Sequence, residues 1–322
     1  MKPSIDMTPN NKDSLYPIPV LFIIFKRPQV ALTAFERIRR VRPSRLYIAG
    51  DGSRKSVDGE QALVEETRRR VLDAIDWDCE VHTLFQNENL GCSMGVYTAI
   101  EWLFSKEECG VILEDDCVMQ DSFFPFVEEL LIKYKDDQRI GMIDGANYVK
   151  GVEIPDSYGF SRYKSTNGWA TWRRAWQLME LNLNWRKTPY KKSIIANMGY
   201  RSKDIKYWKY RIKVIDHHDA SAWDWQWYFT LAAHHMLAIY PQRSLITNIG
   251  FGEGATHTSS AKTPSYFISN DNLQFPLRHP QYVVPFEPFE KGFYNLNNNL
   301  YTNTMKYIPM PLKKFLKKAF KL

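Results

Sequence analysis

Short apolar runs alternate with amphipathic segments along the first 145 residues of the chain. Four runs have the length and residue types of β-strands, at residues 20–25, 45–50, 80–85 and 110–113. Three segments between them carry apolar residues at helical spacing, at residues 30–40, 61–75 and 93–104. This alternation predicts an α/β fold, in which helices flank a mostly parallel sheet.

The pattern becomes less regular after residue 120. Ser122 can cap a helix that carries apolar residues from Phe123 to Leu131, and residues 139–144 have the pattern of a further strand. We expect a loop over 145–165, an apolar helix running toward His235 and a short strand over 237–240. The remaining chain is rich in Pro, Asn and aromatic residues, which predicts irregular structure.

These patterns divide the chain into four parts. We predict a mobile leader (1–17), one large domain (18–258), an irregular C-terminal extension that wraps the sheet (259–310) and a terminal amphipathic helix (311–322). In the last part, five lysines face away from a stripe that includes Leu312, Phe315 and Leu316. Such a helix either lies on an anionic membrane surface or packs against its own domain.

Composition excludes several classes of protein. Hydrophobic residues make up 44% and charged residues 25% of the 322 residues, which is a globular balance, and no apolar run is long enough to span a membrane. The four cysteines lack paired spacing, which predicts free thiols in a reducing cytoplasm. We therefore expect a cytoplasmic protein, free or peripheral on the inner face of the cell membrane.

The net charge of +7 is unevenly placed. Residues 185–213 contain ten Lys or Arg and only Asp204 as an acidic residue. A basic surface of this kind attracts an anionic partner, or it is simply solvated. No nucleic-acid-binding motif is present, so we do not expect a nucleic acid partner.

Three consecutive carboxylates, Glu114-Asp115-Asp116, follow the fourth predicted strand. Clustered carboxylates repel each other and are costly to desolvate, so such a cluster usually requires a cation. Hard cations such as Mg²⁺ and Mn²⁺ prefer oxygen ligands and often share them with phosphates. A solvated acidic loop is the alternative, but the strand before the cluster and the helix signal after it favour a metal site.

The carboxyl ends of parallel strands lie at one edge of a sheet, where ligands bind. This rule places Arg27, Asp51, Asn89 and the carboxylates 114–116 at the same edge, although they are far apart in sequence.

Several aromatic and histidine residues have two interpretations. Trp169, Trp172 and Trp176 are either core or site residues, and for Trp176 we favour the core. Four histidines are expected to be structural or exposed, although the first two of them, with Asp219, also have metal-ligand character: His217, His218, His234 and His235. His257 lies in a Gly-rich loop with little core to serve, which favours a site role.

The motifs form an ordered set over residues 18–258. They are Lys26-Arg27-Pro28, Asp51-Gly52, Asn89-Leu90-Gly91, Glu114-Asp115-Asp116, Gly168-Trp169 and Trp223-Asp224-Trp225. Together they resemble the GT-A type of glycosyltransferase, which has a Rossmann-like sheet. The likeness is greatest to inverting enzymes of the N-acetylglucosaminyltransferase I kind and to related bacterial nucleotide-diphospho-sugar transferases.

The resemblance implies a nucleotide-sugar half (18–145) and an acceptor half (146–258). In the first half, Asp51 would accept a hydrogen bond from the uracil imide of a UDP-sugar, and Arg27 would contact the base or a phosphate. Asn89 and Gly91 would line the nucleotide pocket. Glu114 and Asp115 would hold ribose and donor-sugar hydroxyls, and Asp116 would bind the Mn²⁺ or Mg²⁺ that bridges the diphosphate.

In the acceptor half, the resemblance implies that Asp224 is the catalytic base, where the family tends to show two adjacent acids. His257 falls where many such enzymes place a residue near the metal or diphosphate. We predict that Trp169, Trp172, Trp223 and Trp225 offer flat faces on which an acceptor sugar stacks. The implied acceptor is a glycan or a lipid-linked molecule in surface polysaccharide biosynthesis.

Three other functions compete with this prediction. A sugar nucleotidyltransferase usually has a Gly-rich phosphate loop after its first strand, but here Lys26-Arg27-Pro28 follows. A phosphatase with an Asp nucleophile does not match Glu114. A non-catalytic carbohydrate-binding protein would not need both Asp116 and Asp224.

Overall fold

An eight-stranded β-sheet forms the centre of the computed structural model, which describes residues 14–199, 202–216, 223–251, 268–269 and 271–297. The strands are β1 (Val20–Ile24), β2 (Arg45–Gly50), β3 (Glu80–Phe85), β4 (Cys109–Glu114), β5 (Cys117–Met119), β6 (Ile140–Asp144), β7 (Tyr158–Ser161), β8 (Trp169–Trp172), β9 (Leu237–Pro241) and β10 (Ile246–Asn248). Strands β5 and β10 form a separate antiparallel pair.

The order across the large sheet is β3-β2-β1-β4-β8-β6-β9-β7. The neighbours in β3-β2-β1-β4 are parallel, and β6 is parallel to β9. The antiparallel strands are β8, between β4 and β6, and β7, at the edge beside β9. The predicted α/β class with a mostly parallel sheet is therefore confirmed.

Helices cover both faces of this sheet. They are α1 (Pro28–Val41), α2 (Glu60–Asp73), α3 (Gly91–Lys106), α4 (Phe123–Lys133), α5 (Arg173–Trp176), α6 (Lys191–Ala196), α7 (Ser202–Asp216), α8 (Asp224–Ala233) and α9 (Glu287–Asn297), with a 3₁₀ turn at Asn184–Lys187.

Strand β1 shows why the early runs are apolar throughout. Val20 and Phe22 point to the face covered by α1 and α4, whereas Leu21 points to the face covered by α3 and α8. Successive side chains of a strand face opposite sides, so a strand covered on both sides must be apolar at every position.

The two halves expected at residue 145 share one sheet. Strand β8, from the second half, lies between β4 and β6 of the first. The carboxyl end of β4 therefore lies next to the start of β8, and residues from both halves meet at the same edge.

Three expectations about loops and ends are corrected. The predicted loop 145–165 contains the edge strand β7, and the segment expected to be irregular contains α9. Phe289 of α9 stacks on Tyr240 with ring centroids 3.5 Å apart, so packing stabilises this helix. Tyr16, in the predicted mobile leader, is buried and donates a hydrogen bond to the Phe124 carbonyl at 3.1 Å.

Three further predictions bear on the class of protein. Residues 311–322, predicted to be an amphipathic helix, lie outside the described residues. No helix in the described ranges is long and apolar enough to cross a membrane. All four cysteines are free, as expected.

Candidate active site

A cavity of about 450 Å³ opens at the carboxyl ends of β1, β2 and β4. Seven residues predicted from the sequence line it together: Arg27, Asp51, Asn89, Gly91, Glu114, Asp115 and Asp116. The strand-end rule named all of them except Gly91, which was implied by the resemblance, and their common position is fixed by the parallel pairing of β1 with β2 and β4.

Arg27 holds two of the three clustered carboxylates. Its guanidinium donates to Asp115 through Nη2 and, at 3.4 Å, through Nε, and Nη2 lies 3.0 Å from Asp116 Oδ2. Burial lowers the pKa of Arg27, but the charges and hydrogen bonds of Asp115 and Asp116 outweigh this effect and raise it. The cation that a carboxylate cluster requires is therefore supplied in part by the chain itself.

Arg27 does not balance the whole cluster. Burial, followed by the charges of Asp116, Asp115 and Asp224, raises the pKa of Glu114. Burial also raises the pKa of Asp115, although Arg27 opposes this effect. The site keeps an excess of carboxylate, which favours a cation or a hydrogen-bond donor beside Glu114.

Asp116 is held by the β5–β10 pair. Asn248 stands opposite Cys117 in this ladder, and its side-chain amide lies 3.3 Å from Asp116 Oδ1 and 2.8 Å from Asn167 Oδ1. Gly250 follows so closely that a Cβ there would lie 2.1 Å from Asp116 Oδ2. A side chain at this position would displace the Asp116 carboxylate, and the loop after β10 forms one wall of the cavity.

The Asp116 carboxylate is an oxygen ligand of the kind that a hard cation prefers. Asn248 turns its amide nitrogen toward Asp116 Oδ1 and Asn167 Oδ1, and its own Oδ1 accepts from the Gly250 amide at 2.8 Å. The described residues contain no group of three or more His, Cys, Asp or Glu that would enclose a metal. A cation would therefore be held by Asp116 and by oxygens of a ligand, which is how proteins commonly hold Mg²⁺.

Asp51 organises the opposite wall. Its Oδ1 accepts from the Gly52 and Leu90 amides, and its Oδ2 accepts from the Asn89 side chain and the Gly91 amide, all at 2.8–2.9 Å. A carboxylate offers about four acceptor positions, so the loop before α3 already occupies them. In this conformation Asp51 shapes the pocket wall and has no position left for a ligand.

Two basic residues for which the sequence predicted no site role also line the cavity. Lys26 Nζ donates to Glu60 at 2.7 Å, and Arg54 donates to Glu60 through its backbone amide at 2.8 Å and Nε at 2.9 Å. Glu60 is 1% exposed and begins α2. The positions of Lys26 and Arg54 after β1 and β2 are a signal that the sequence contains. Glu60, the buried acid that binds both of them, is distant from Lys26 in sequence.

Asp224 is the first residue of α8, and its charge reaches the cavity. It contributes to the raised pKa of Glu114, and burial, Glu114 and Asp224 together raise the pKa of the Cys92 thiol to about 12. Glu114 and Cys92 both line the cavity. Asp224 does not itself line the cavity, and its charge acts on these two residues that do.

The acceptor prediction is wrong for three of the four tryptophans. Trp169, Trp172 and Trp223 are only 1%, 4% and 3% exposed. Trp169 stacks on Trp223 at 5.7 Å, and Trp172 Nε1 donates to the Leu131 carbonyl at 3.1 Å. Their rings are occupied by the core, as was favoured for Trp176, which is also buried.

Trp225 is different because it is only partly buried. The Arg211 guanidinium lies 4.2 Å from the centre of its ring. Of the predicted histidines, His234 and His235 are exposed as expected, and His217, His218 and His257 lie outside the described residues.

No protein family model and no curated protein sequence matches the chain. Several solved structures share part of its architecture at low similarity. A mannosyltransferase from Pyrobaculum calidifontis, in complex with GDP-Man and Mn²⁺, is 14% identical over 54% of this chain and 49% of its own, with a TM-score of 0.34. The chain thus spans about half the length of that enzyme.

Two further structures are similar at the same level. HddC from Yersinia pseudotuberculosis, complexed with GMP-PN, is 10% identical over 49% of this chain and 77% of its own, with a TM-score of 0.31. The 4-diphosphocytidyl-2C-methyl-D-erythritol synthase from Anaerococcus prevotii is 13% identical over 60% and 82%, with a TM-score of 0.29. Identities of 10–14% and TM-scores of 0.29–0.34 are too low to indicate the activity of this chain.

Proposed function

We propose that the protein is a metal-dependent inverting glycosyltransferase that uses a nucleotide-sugar donor. The observation that carries this proposal is the convergence of basic residues and a carboxylate cluster at the edge where parallel strands end, with the charge of one further aspartate, Asp224, acting on Glu114. This combination offers separate places for a diphosphate, for sugar hydroxyls and for a catalytic base.

The donor would lie along the cavity. Arg27, Lys26 and Arg54 supply positive charge for a diphosphate, and the loop held by Asp51 borders the place for the base. Uridine is implied by the family resemblance. Glu114 is the carboxylate that accepts no hydrogen bond from the described residues, which suits contact with sugar hydroxyls.

Inversion needs one base and no covalent intermediate. Asp224 would accept the proton of the acceptor hydroxyl as that oxygen attacks the anomeric carbon, and the nucleoside diphosphate would leave on the opposite face. Arg27 would hold the diphosphate end of the donor in place. A divalent cation at Asp116, when bound, would supply neutralisation of charge on the leaving group.

The acceptor would approach from the side of α7 and α8. Trp225 is the predicted acceptor-binding tryptophan that stays partly exposed, and Arg211, near the end of the basic segment 185–213, lies against its ring. A glycan or lipid-linked acceptor with negative charge fits this surface. The enzyme would then work in the cytoplasm, at the inner face of the membrane.

A donor screen tests the proposed function. Purified protein is incubated with UDP-, GDP- and dTDP-sugars and with candidate acceptors, and release of nucleoside diphosphate is measured with Mn²⁺. We expect release with one donor class and an anomeric configuration opposite to that of the donor. Formation of pyrophosphate from a nucleoside triphosphate and a sugar 1-phosphate would instead identify a sugar nucleotidyltransferase.

Removal of the cation tests the role of Asp116. We expect EDTA to abolish release of the nucleoside diphosphate and added Mn²⁺ or Mg²⁺ to restore it. Turnover that is undiminished by EDTA would overturn the metal assignment while leaving the transferase proposal intact, because Arg27 also carries positive charge into the site.

A further inference from the structure

Lys164, in the segment between β7 and β8, places a positive charge behind Asp224. Its Nζ donates to the backbone carbonyl of Asp224 at 2.9 Å and lies 5.4 Å from the centre of the Tyr228 ring. Both contacts are with the first turns of α8, the helix that Asp224 begins. Neither Lys164 nor Asp224 lines the cavity, and Lys164 holds this helix end through its backbone.

The charge of a second acid, Asp144, acts on the same ammonium group. Asp144, at the end of β6, is 2% exposed, and its Oδ2 accepts from the Ser165 amide at 2.9 Å. Its Oδ1 has no hydrogen-bond partner among the described residues. Burial raises the pKa of Asp144 well above its ordinary value, and the hydrogen bond from Ser165 and the positive charge of Lys164 oppose this effect.

We propose that Lys164 is a positioning residue that fixes the start of α8, and with it the carboxylate of Asp224, relative to the donor site. The inference rests on the proposed role of Asp224 as the catalytic base. A charge-assisted hydrogen bond to the backbone of the base is stronger than a neutral one, and it restricts the helix end without competing for the carboxylate itself.

The strength of the hydrogen bond from Lys164 to the Asp224 carbonyl depends on whether the Lys164 amine is protonated. Burial lowers the pKa of Lys164, and the charges of Asp224 and Asp144 oppose this effect without cancelling it. The other titratable or charged groups nearby are Tyr228 on α8 and, on its own segment, Tyr163 and Arg162, which bind Asp204 and Glu290. As the pH rises through this lowered pKa, the ammonium becomes neutral and the hold weakens.

Three variants test the proposal through catalysis. Lys164→Met should lower kcat about 10-fold or more and leave the KM for the donor unchanged, because Lys164 does not line the donor cavity. Lys164→Arg, which stays charged, should keep most of the activity at pH 7 and extend it to higher pH than in the wild type.

Asp144→Asn should move the alkaline limb of the pH–activity profile to lower pH, opposite to the effect of Lys164→Arg. Removing that negative charge lowers the pKa of Lys164 further, so activity should fall at lower pH than in the wild type. Equal alkaline limbs in the wild type, Lys164→Arg and Asp144→Asn would overturn the proposal. These two variants decide the question if Lys164→Met does not fold.

An NMR titration separates this inference from the proposed function. In protein labelled with ¹³C at lysine Cε, the signal missing from Lys164→Arg belongs to Lys164. Its midpoint should lie well below the value of about 10.4 that is typical of exposed lysines, and should fall further in Asp144→Asn. A midpoint equal to that of exposed lysines would overturn the inference even if the enzyme is active. The expected midpoints in a protein without transferase activity would overturn the proposed function only.

Discussion

At the scale of single residues, the proposed chemistry depends most on Asp224. We expect Asp224→Asn to lower kcat by roughly 10²–10⁴-fold, the contribution typical of a positioned base, while the donor still binds. An initial-rate assay with saturating donor measures kcat. Calorimetric titration with nucleoside diphosphate measures the affinity of the donor site.

Asp216→Asn is a matched control for this experiment. Asp216 ends α7 and forms an exposed ion pair with Arg186 at 2.6 Å, so its loss should leave the rate unchanged. A fully active Asp224→Asn variant would remove Asp224 as the base.

The neighbours of Asp224 show what a sequence does not reveal about single residues. Trp223 and Trp225 flank it identically in the sequence, yet Trp223 is buried against Trp169 and Trp225 meets Arg211 near the surface. At the start of a helix, residues two positions apart point in nearly opposite directions, about 200° around the axis, so one faces the core and the other does not. Residue type alone therefore does not separate an acceptor surface from a core.

At the scale of elements, the start of α2 anchors the basic rim of the cavity. Glu60, its first residue, binds Arg54 and Lys26. The Arg54 hydrogen bond lowers the pKa of Glu60 most; burial opposes it, Lys26 adds to it, and the net value is about 2. One buried acid thus fixes two side chains that the proposed donor would meet.

We expect Glu60→Gln to lower the free energy of unfolding at pH 7 by on the order of 3 kcal/mol. The pKa of Glu60 is lower in the folded state than its ordinary value of 4.5, so this contribution is present above about pH 4.5 and is lost as the pH falls toward 2. Urea unfolding at pH 7 and at pH 3 should therefore show a smaller difference from the wild type at pH 3.

Glu66→Gln provides the comparison on the same helix. The side chains of its ion pair with Arg70 are 42% and 33% exposed, so solvent screens the pair and its removal should change the unfolding free energy less than Glu60→Gln does at pH 7. A Glu60→Gln difference that is the same at pH 7 and pH 3 would contradict the electrostatic explanation.

The predictability of the elements follows their burial pattern. Strands β1 to β4 and their helices were predictable because each buries a continuous or periodic apolar set. Strand β7 and helix α9 were not, since Tyr158, Tyr240 and Phe289 are ordered by contacts with residues distant in sequence. For the same reason the strand-end rule located Asp115 and Asp116 but did not reveal that Arg27 pairs with both.

At the scale of the whole molecule, one sheet joins the donor side and the acceptor side of the site. Strand β8 connects β4, which ends in the carboxylates, with β6, which ends in Asp144. A ligand at the shared edge therefore contacts segments from both parts of the chain. Its binding should stabilise the domain as a unit.

A thermal-unfolding experiment tests this expectation without any acceptor. A nucleoside diphosphate at about 100 times its Kd should add about 2.7 kcal/mol to stability, which corresponds to a rise in Tm on the order of 5 °C. We expect the full rise only with Mn²⁺ or Mg²⁺, because the excess carboxylate around Glu114 disfavours a diphosphate alone. Comparing UDP, GDP and CDP would identify the base.

The variant Asp116→Asn, with Asp121→Asn as its control, tests whether the metal-dependent part of this rise in Tm requires Asp116. Asp121 is 78% exposed and pairs only with Arg37 among the described residues, so its loss should leave the rise intact. Asp116→Asn should remove the difference between samples with and without the cation, yet keep the part due to Arg27, Lys26 and Arg54. If Asp116→Asn retains the full metal dependence, the cation binds elsewhere. In that case the carboxylate cluster would serve mainly to orient Arg27 toward the phosphates.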